Sequence, residues 1–125
     1  MQINFQDERP IFLQIAEGIE DGILMGAYPE EGQVPSTTEI SVTYKINPAT
    51  ALKGITRLVE EGILYKRRGV GMFVAQGAVQ TVKEKRKAAI LDRYVRPLTR
   101  EAKRLGLTAG ETTELIERSF EDEEN

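Results

Sequence analysis

The clearest pattern lies near the start of the chain, where Phe12, Ile15, Ile19 and Ile23 recur at three- and four-residue spacing behind Pro10. This predicts a helix over roughly 10–25, preceded by a short β-capable run, Ile3 to Phe5. Gly26 suits its left-handed stop, and Pro29 with Gly32 marks a loop. Ser36-Thr37-Thr38-Glu39 has the capping-box pattern, in which a serine oxygen and a glutamate side chain satisfy orphan amides, and predicts a short second helix over about 37–44. Asn47 as cap and Pro48 as first helical residue predict a third over about 48–61, ending near Gly62. At about 3.6 residues per turn, Ala51, Leu52, Ile55, Leu58 and Val59 fall on one side and Thr50, Lys53 and Arg57 on the other. One face is expected in the core, the other polar and basic.

Ile63 to Arg67 and Met72 to Ala75 are β-rich runs around Arg68-Gly69-Val70-Gly71, a hairpin whose glycines tolerate positive φ. Gly77 to Thr81 is expected to be a linker. Beyond Lys83, the residues Ala88, Leu91, Val95, Leu98, Ala102 and Leu105 keep a 3-4-3-4-3 spacing, an apolar seam suited to a partner helix. Pro97 is expected to interrupt and bend it, because proline removes a backbone donor. Gly106 ends that helix, Thr108 to Glu111 offers a second capping box, and Leu115, Ile116 and Phe120 predict a last amphipathic helix before a frayed tail, Glu121 to Asn125.

Composition narrows the chemistry. With 125 residues, the chain has the length of one small domain and an appendage. It has no Cys and no His, which excludes disulfides, thiol nucleophiles, histidine bases and Cys/His zinc sites. No cofactor or metal is expected, no G-x-G-x-x-G or Walker pattern supports a nucleotide site, and the acids show no ordered catalytic spacing. No long apolar run or basic leader precedes the first helix, so a soluble, cytoplasmic protein without a membrane partner is expected. Net charge is −3, unusual for a nucleic-acid binder. Its distribution changes the picture: residues 1–36 and 105–125 are acidic, whereas 37–76 carry six bases against three acids and 77–104 nine against three.

Helix, short helix, tight turn, helix and basic hairpin over residues 10–76 form an arrangement that can lay a helix in a major groove and a hairpin against the adjacent backbone or minor groove. Thr50, Lys53 and Arg57 would supply the helical row, and Lys66, Arg67 and Arg68 the hairpin charge. The bland reading is a small α+β module with solvated bases. Asn47 serves equally as a cap or a DNA contact, and Lys83 to Lys87 as a solvated helix face or a contact to flanking DNA. A winged-helix adaptor that binds protein without reading DNA is the alternative; a steep fall of DNA affinity with salt separates the two.

Pro10 to Ala16, Val34 to Ile40, Asn47 to Ala51, Glu61 to Leu64 and Arg67 to Val74, in that order, resemble the winged helix-turn-helix of the GntR family of bacterial transcription regulators. Tyr94 to Leu98 and Ala102 to Gly106 resemble its YtrA-like subfamily. The resemblance implies a fold that is mostly α (α+β): a winged helix-turn-helix over 1–76 with a C-terminal helical dimerisation segment over 77–125. It implies a homodimeric repressor on a roughly palindromic DNA operator, in this subfamily often that of a transporter operon. The DNA-binding candidates are Ser36, Thr37, Thr38, Asn47, Ala49, Thr50, Lys53, Arg57, Arg67, Arg68, Gly69 and Gly71. Those for dimerisation are Ala88, Leu91, Val95, Leu98, Ala102, Leu105, Leu115 and Ile116. Family members commonly carry arginine where this chain has Thr38, and many branches carry it at Pro48 and Leu52, so fewer charged groups are available here for base recognition. The stretch after residue 76 is too short to enclose a large effector, which leaves a small ligand at the dimer interface, or none.

Overall fold

The computed structural model describes residues 1–123, which fall into two compact units, Met1–Glu84 and the residues from Lys85 onward. In the first unit, α1 (Ile11–Leu24), α2 (Thr37–Tyr44) and α3 (Pro48–Glu60) precede an antiparallel hairpin of β1 (Leu64–Arg67) and β2 (Gly71–Val74). The core is aliphatic. Ile15, Ala16, Ile19 and Ile23 of α1 pack with Ala51, Ile55 and Leu58 of α3, joined by Ile40, Leu64 and Val74. α1 and α3 meet at Gly54, where an added Cβ would lie 2.8 Å from the Phe12 carbonyl oxygen and 3.0 Å from Ile15 Cγ2. Only a residue without a Cβ permits that approach.

Side chains distant in sequence hold the ends of the unit. The buried Gln14 amide accepts from Asn4 N–H at 2.8 Å and donates to the carbonyls of Asn4 and Arg9, both at 3.0 Å. This explains why Ile3 to Phe5 forms no strand: the Asn4 backbone groups that a neighbouring strand would engage are taken by one side chain. The third element beside the hairpin comes from a loop instead. Glu31 N–H donates to Val74 O, Val74 N–H to Gly32 O and Val34 N–H to Met72 O, all within 3.0 Å, so residues 31–34 run along the edge of β2.

The linker expected at Gly77 to Thr81 is a correction. Helix α4 (Ala78–Ile90) begins there, with Ala78 and Val82 in the core, and the Glu30 carboxylate accepts from Gly77 N–H at 2.7 Å and Val79 N–H at 3.2 Å. A carboxylate at a helix N-terminus satisfies orphan amides and opposes the positive end of the helix dipole.

In the second unit, α4 continues into a π-helical segment, Leu91–Val95, then α5 (Arg96–Arg104) and α6 (Ala109–Glu123). Pro97 does not stop the helix. Arg96 N–H reaches Leu91 O, five residues back, and this widened turn carries the chain past a residue that cannot donate and whose ring crowds the preceding turn. Gly106, at φ +77°, closes α5 while Leu107 N–H bonds Ala102 O at 2.9 Å. Thr108 N–H donates to Glu111 Oε1 at 3.0 Å and Glu111 N–H to Thr108 Oγ1 at 3.1 Å, a reciprocal box, and the Thr108 N–H, aided by the Thr108 side chain, holds the Glu111 carboxyl below its ordinary value. Helix α6 extends through Glu123, so the tail expected to fray from Glu121 is helical as far as Glu123; 124 and 125 lie outside the described residues.

Gly54→Ala gains about 1 kcal/mol of helix propensity yet drives a methyl against backbone, so a net loss of about 1–3 kcal/mol is expected in urea unfolding. Glu30→Ala should cost about 1 kcal/mol and raise amide hydrogen exchange selectively at residues 77 and 79.

Candidate nucleic-acid interface

Two tight turns orient α3. Ser36 Oγ accepts from Glu39 N–H at 3.0 Å, and Ser36 N–H donates to Glu39 Oε1 at 3.2 Å, which starts α2. Lys45 ends it in the left-handed region at φ +55°, a turn secured by Ser41 Oγ donating to Ile46 O at 2.7 Å. No local signal marked Lys45 for that conformation; non-glycine residues adopt it at a cost of about 1–3 kcal/mol, offset here by the turn's hydrogen bonds. Asn47 Oδ1 then accepts from Ala49 N–H at 2.8 Å and starts α3. Ser36 and Asn47 thus have a demonstrated structural role. The first-turn amides of Thr37 and Thr38 have no carbonyl one turn back; Thr37 is half-buried and Thr38 exposed.

α3 turns Ala51, Gly54, Ile55 and Leu58 inward. Leu52 and Val59, expected in the core, are 54% and 37% exposed, which corrects that assignment. The wheel places them at the edge of the apolar arc, whose centre is Ala51, Gly54, Ile55 and Leu58. Ala49, Lys53 and Arg57 are exposed, whereas Thr50 is half-buried, so the expected row of Thr50, Lys53 and Arg57 is only partly outward. Lys53 Nζ stands 4.1 Å from the centroid of the Phe12 ring, and Arg57 Nε is 3.8 Å from Glu61 Oε1. Both are exposed contacts of modest strength.

The hairpin pairs Leu64 with Val74, Tyr65 with Phe73, Lys66 with Met72 and Arg67 with Gly71. Alternation along a strand sends Lys66 and Met72 to one face and Tyr65, Arg67 and Phe73 to the other. On the latter, the Arg67 guanidinium lies 5.0 Å from the Phe73 ring centroid. Gly69 and Gly71 both have positive φ, +77° and +147°. Sequence reading missed Gln33, whose Nε2 donates to Val70 O at 3.1 Å and supports the hairpin tip. On its other face the hairpin closes, with α3 and the start of α2, an open cleft of about 450 Å³. Lys66 and Met72 stand on its hairpin side, Leu52, Thr56 and Val59 on its α3 side, and Ser36 to Thr38 at the α2 end.

Of the candidates assigned to dimerisation, Ala88, Leu91, Leu98, Leu105, Leu115 and Ile116 are exposed, Val95 is half-buried, and Ala102 is buried within its own unit. Among the described residues, no helix is long and apolar enough to cross a membrane.

The family of bacterial regulatory proteins called the gntR family matches residues 12–74, from α1 to the end of β2. The chain is 33% identical over 118 residues to the HTH-type transcriptional regulator YhcF of Bacillus subtilis, covering 93% of this chain and 94% of that protein. It is 28% identical over 102 residues to the HTH-type transcriptional repressor YtrA of the same organism, covering 75% and 78%. Among solved structures, a GntR-family regulator from Bacteroides thetaiotaomicron superimposes with a TM-score of 0.72 at 36% identity, over 92% of this chain and 99% of that one. The DNA-binding domain of AraR in complex with operator ORX1 does so with a TM-score of 0.55 at 29% identity, over 60% and 96%. The helices, tight turn and hairpin described above are those of a winged helix-turn-helix, and the chain belongs to the GntR family of bacterial transcription regulators.

Proposed function

We propose that this protein is a homodimeric cytoplasmic repressor that occupies a roughly palindromic operator in double-stranded DNA, with Met1–Glu84 reading the DNA and the following helices joining two copies. The observation that carries the reading is the exposure of Lys53, Arg57, Lys66, Arg67 and Arg68 on α3 and its adjoining hairpin, in a chain whose net charge is −3. Glu60 and Glu61 close α3 with negative charge, which favours presenting its N-terminal half, around Ala49 and Lys53, to the major groove. The first-turn amides of Thr37 and Thr38 suit a phosphate, and Arg67 and Arg68, shaped by Gly69 and Gly71, suit backbone or minor groove. Ser36 and Asn47 serve this face chiefly by capping α2 and α3, and Thr50 flanks it. Repression follows the named activity of YtrA, and occlusion of a promoter is the simplest means; a transporter operon is the target class the YtrA-like resemblance implies.

The dimer is supported by what the second unit lacks. Only Ala102 and Thr112 are buried among its described residues, while Leu91, Tyr94, Leu105 and Phe120 are each at least half exposed. A helical unit without a core of its own needs a cover for its apolar stripe, and a second copy supplies one through a self-complementary contact. The π segment modifies the seam: one extra residue in that turn brings Ile90 and Tyr94 toward the line of Leu98 and Leu105 and turns Ala88 and Leu91 away from it.

Selection from a random duplex pool should enrich one palindromic sequence. On that duplex Lys53→Ala should cost about 1–3 kcal/mol of specific binding, whereas Arg67→Ala and Arg68→Ala should each lower the slope of log affinity against log salt by about 1. Unaltered slopes in both arginine variants would remove the hairpin from the interface, and an unenriched pool would favour the protein-binding adaptor. Leu98→Asp should convert a sedimenting dimer into a monomer at micromolar concentration and lower affinity for the full operator toward that for a single half-site.

A further inference from the structure

Leu52 is the most exposed large apolar side chain of α3, at 54%, and it lies in the second turn, within the half of the helix assigned to the major groove. It is not isolated. Val59, 37% exposed, and the half-buried Met72 of β2 line the same cleft, so an apolar strip opens between the start of α2 and the hairpin, flanked by the ammonium of Lys66. The side chain stands outside the buried core, so the fold does not require an apolar residue at position 52. The residue is suited to an apolar target presented from outside.

A DNA major groove offers one such group. Thymine carries a C5 methyl at its edge, whereas adenine, guanine and cytosine present there only hydrogen-bond donors, acceptors and ring C–H edges. A leucine makes no hydrogen bond, so its discrimination comes from removing that methyl, and its own branched end, from water. Lys66 on β1, which lines the same cleft, suits a phosphate bordering the groove, so a charged group would fix the approach while the leucine senses the base.

We propose that Leu52 is a specificity-determining residue that recognises a thymine methyl group in each half of the operator, a role that rests on the DNA-binding reading above. The test uses the full-length protein and the duplex enriched by random selection, together with a series in which one thymine at a time is replaced by deoxyuridine, which lacks only the methyl. For the wild-type protein, one thymine in each half-site should stand out, its replacement weakening binding about fourfold, the effect of burying one methyl-sized group. Leu52→Ala should bind the parent duplex more weakly and lose that sensitivity, with helical circular dichroism and salt slope unchanged; Leu52→Met should retain it. Wild-type indifference to every replacement, or the same sensitivity in Leu52→Ala, overturns the role of Leu52 while leaving DNA binding intact. Failure of the wild-type protein to enrich any sequence overturns the DNA-binding reading itself, and this proposal with it.

Discussion

The contact of α1 with α3 at Gly54 is the constraint on which the first unit depends. The Phe12 carbonyl oxygen occupies the space that a Cβ would need, so the two helices approach as closely as backbone allows, and the isoleucines of α1 interlock with Ala51, Ile55 and Leu58. Burial of that face fixes the rotation of α3 about its own axis. The outward direction of Lys53, Leu52 and Arg57 is therefore a product of core packing, since the exposed contacts those side chains make with one another's neighbours are weak. The capping residues contribute the other coordinate: Ser36 and Asn47 set where α2 and α3 begin, and the left-handed Lys45 sets the angle of the turn between them.

Much of this was legible in the sequence because its signals are local. Helical spacing, the Ser36 box, the Asn47-Pro48 start, the Thr108 box and the hairpin glycines each place their element within one to two residues of where it lies. What escaped depends on partners far along the chain. Glu30 starts α4 across 47 residues, Gln14 takes the backbone groups of Asn4, and residues 31–34 pair with β2, none of which has a periodicity to detect. The site was legible to the same extent. The cations and glycines of the hairpin are where alternation puts them, but Leu52 and Val59 lie at the margin of an apolar arc, where a wheel cannot distinguish core from surface and the position of α1 against α3 decides.

The two units differ in how their apolar residues are used. In the first, isoleucine, leucine and valine are largely covered; in the second, two of the described residues are buried and most of the larger apolar side chains face outward. Helix caps hold that second unit's local form, through the Thr108 box and the glycine-terminated α5, while its hydrophobic surface remains unspent within the chain. The π segment ahead of Pro97 shows the same economy: a residue that cannot donate is accommodated by a wider turn instead of a break.

The two-sided character of α3 also bears on how such regulators diverge. Positions 51, 54, 55 and 58 are answerable to the fold, whereas 49, 52, 53 and 56 are exposed, and surface exchanges at such places usually change stability by no more than about 0.5 kcal/mol. If the exposed set reads DNA as proposed, selection on folding and selection on recognition act on separate sets of codons within a single helix. A duplicated copy could then acquire a new target through substitutions at the second set while the first is held constant, without passing through unfolded intermediates.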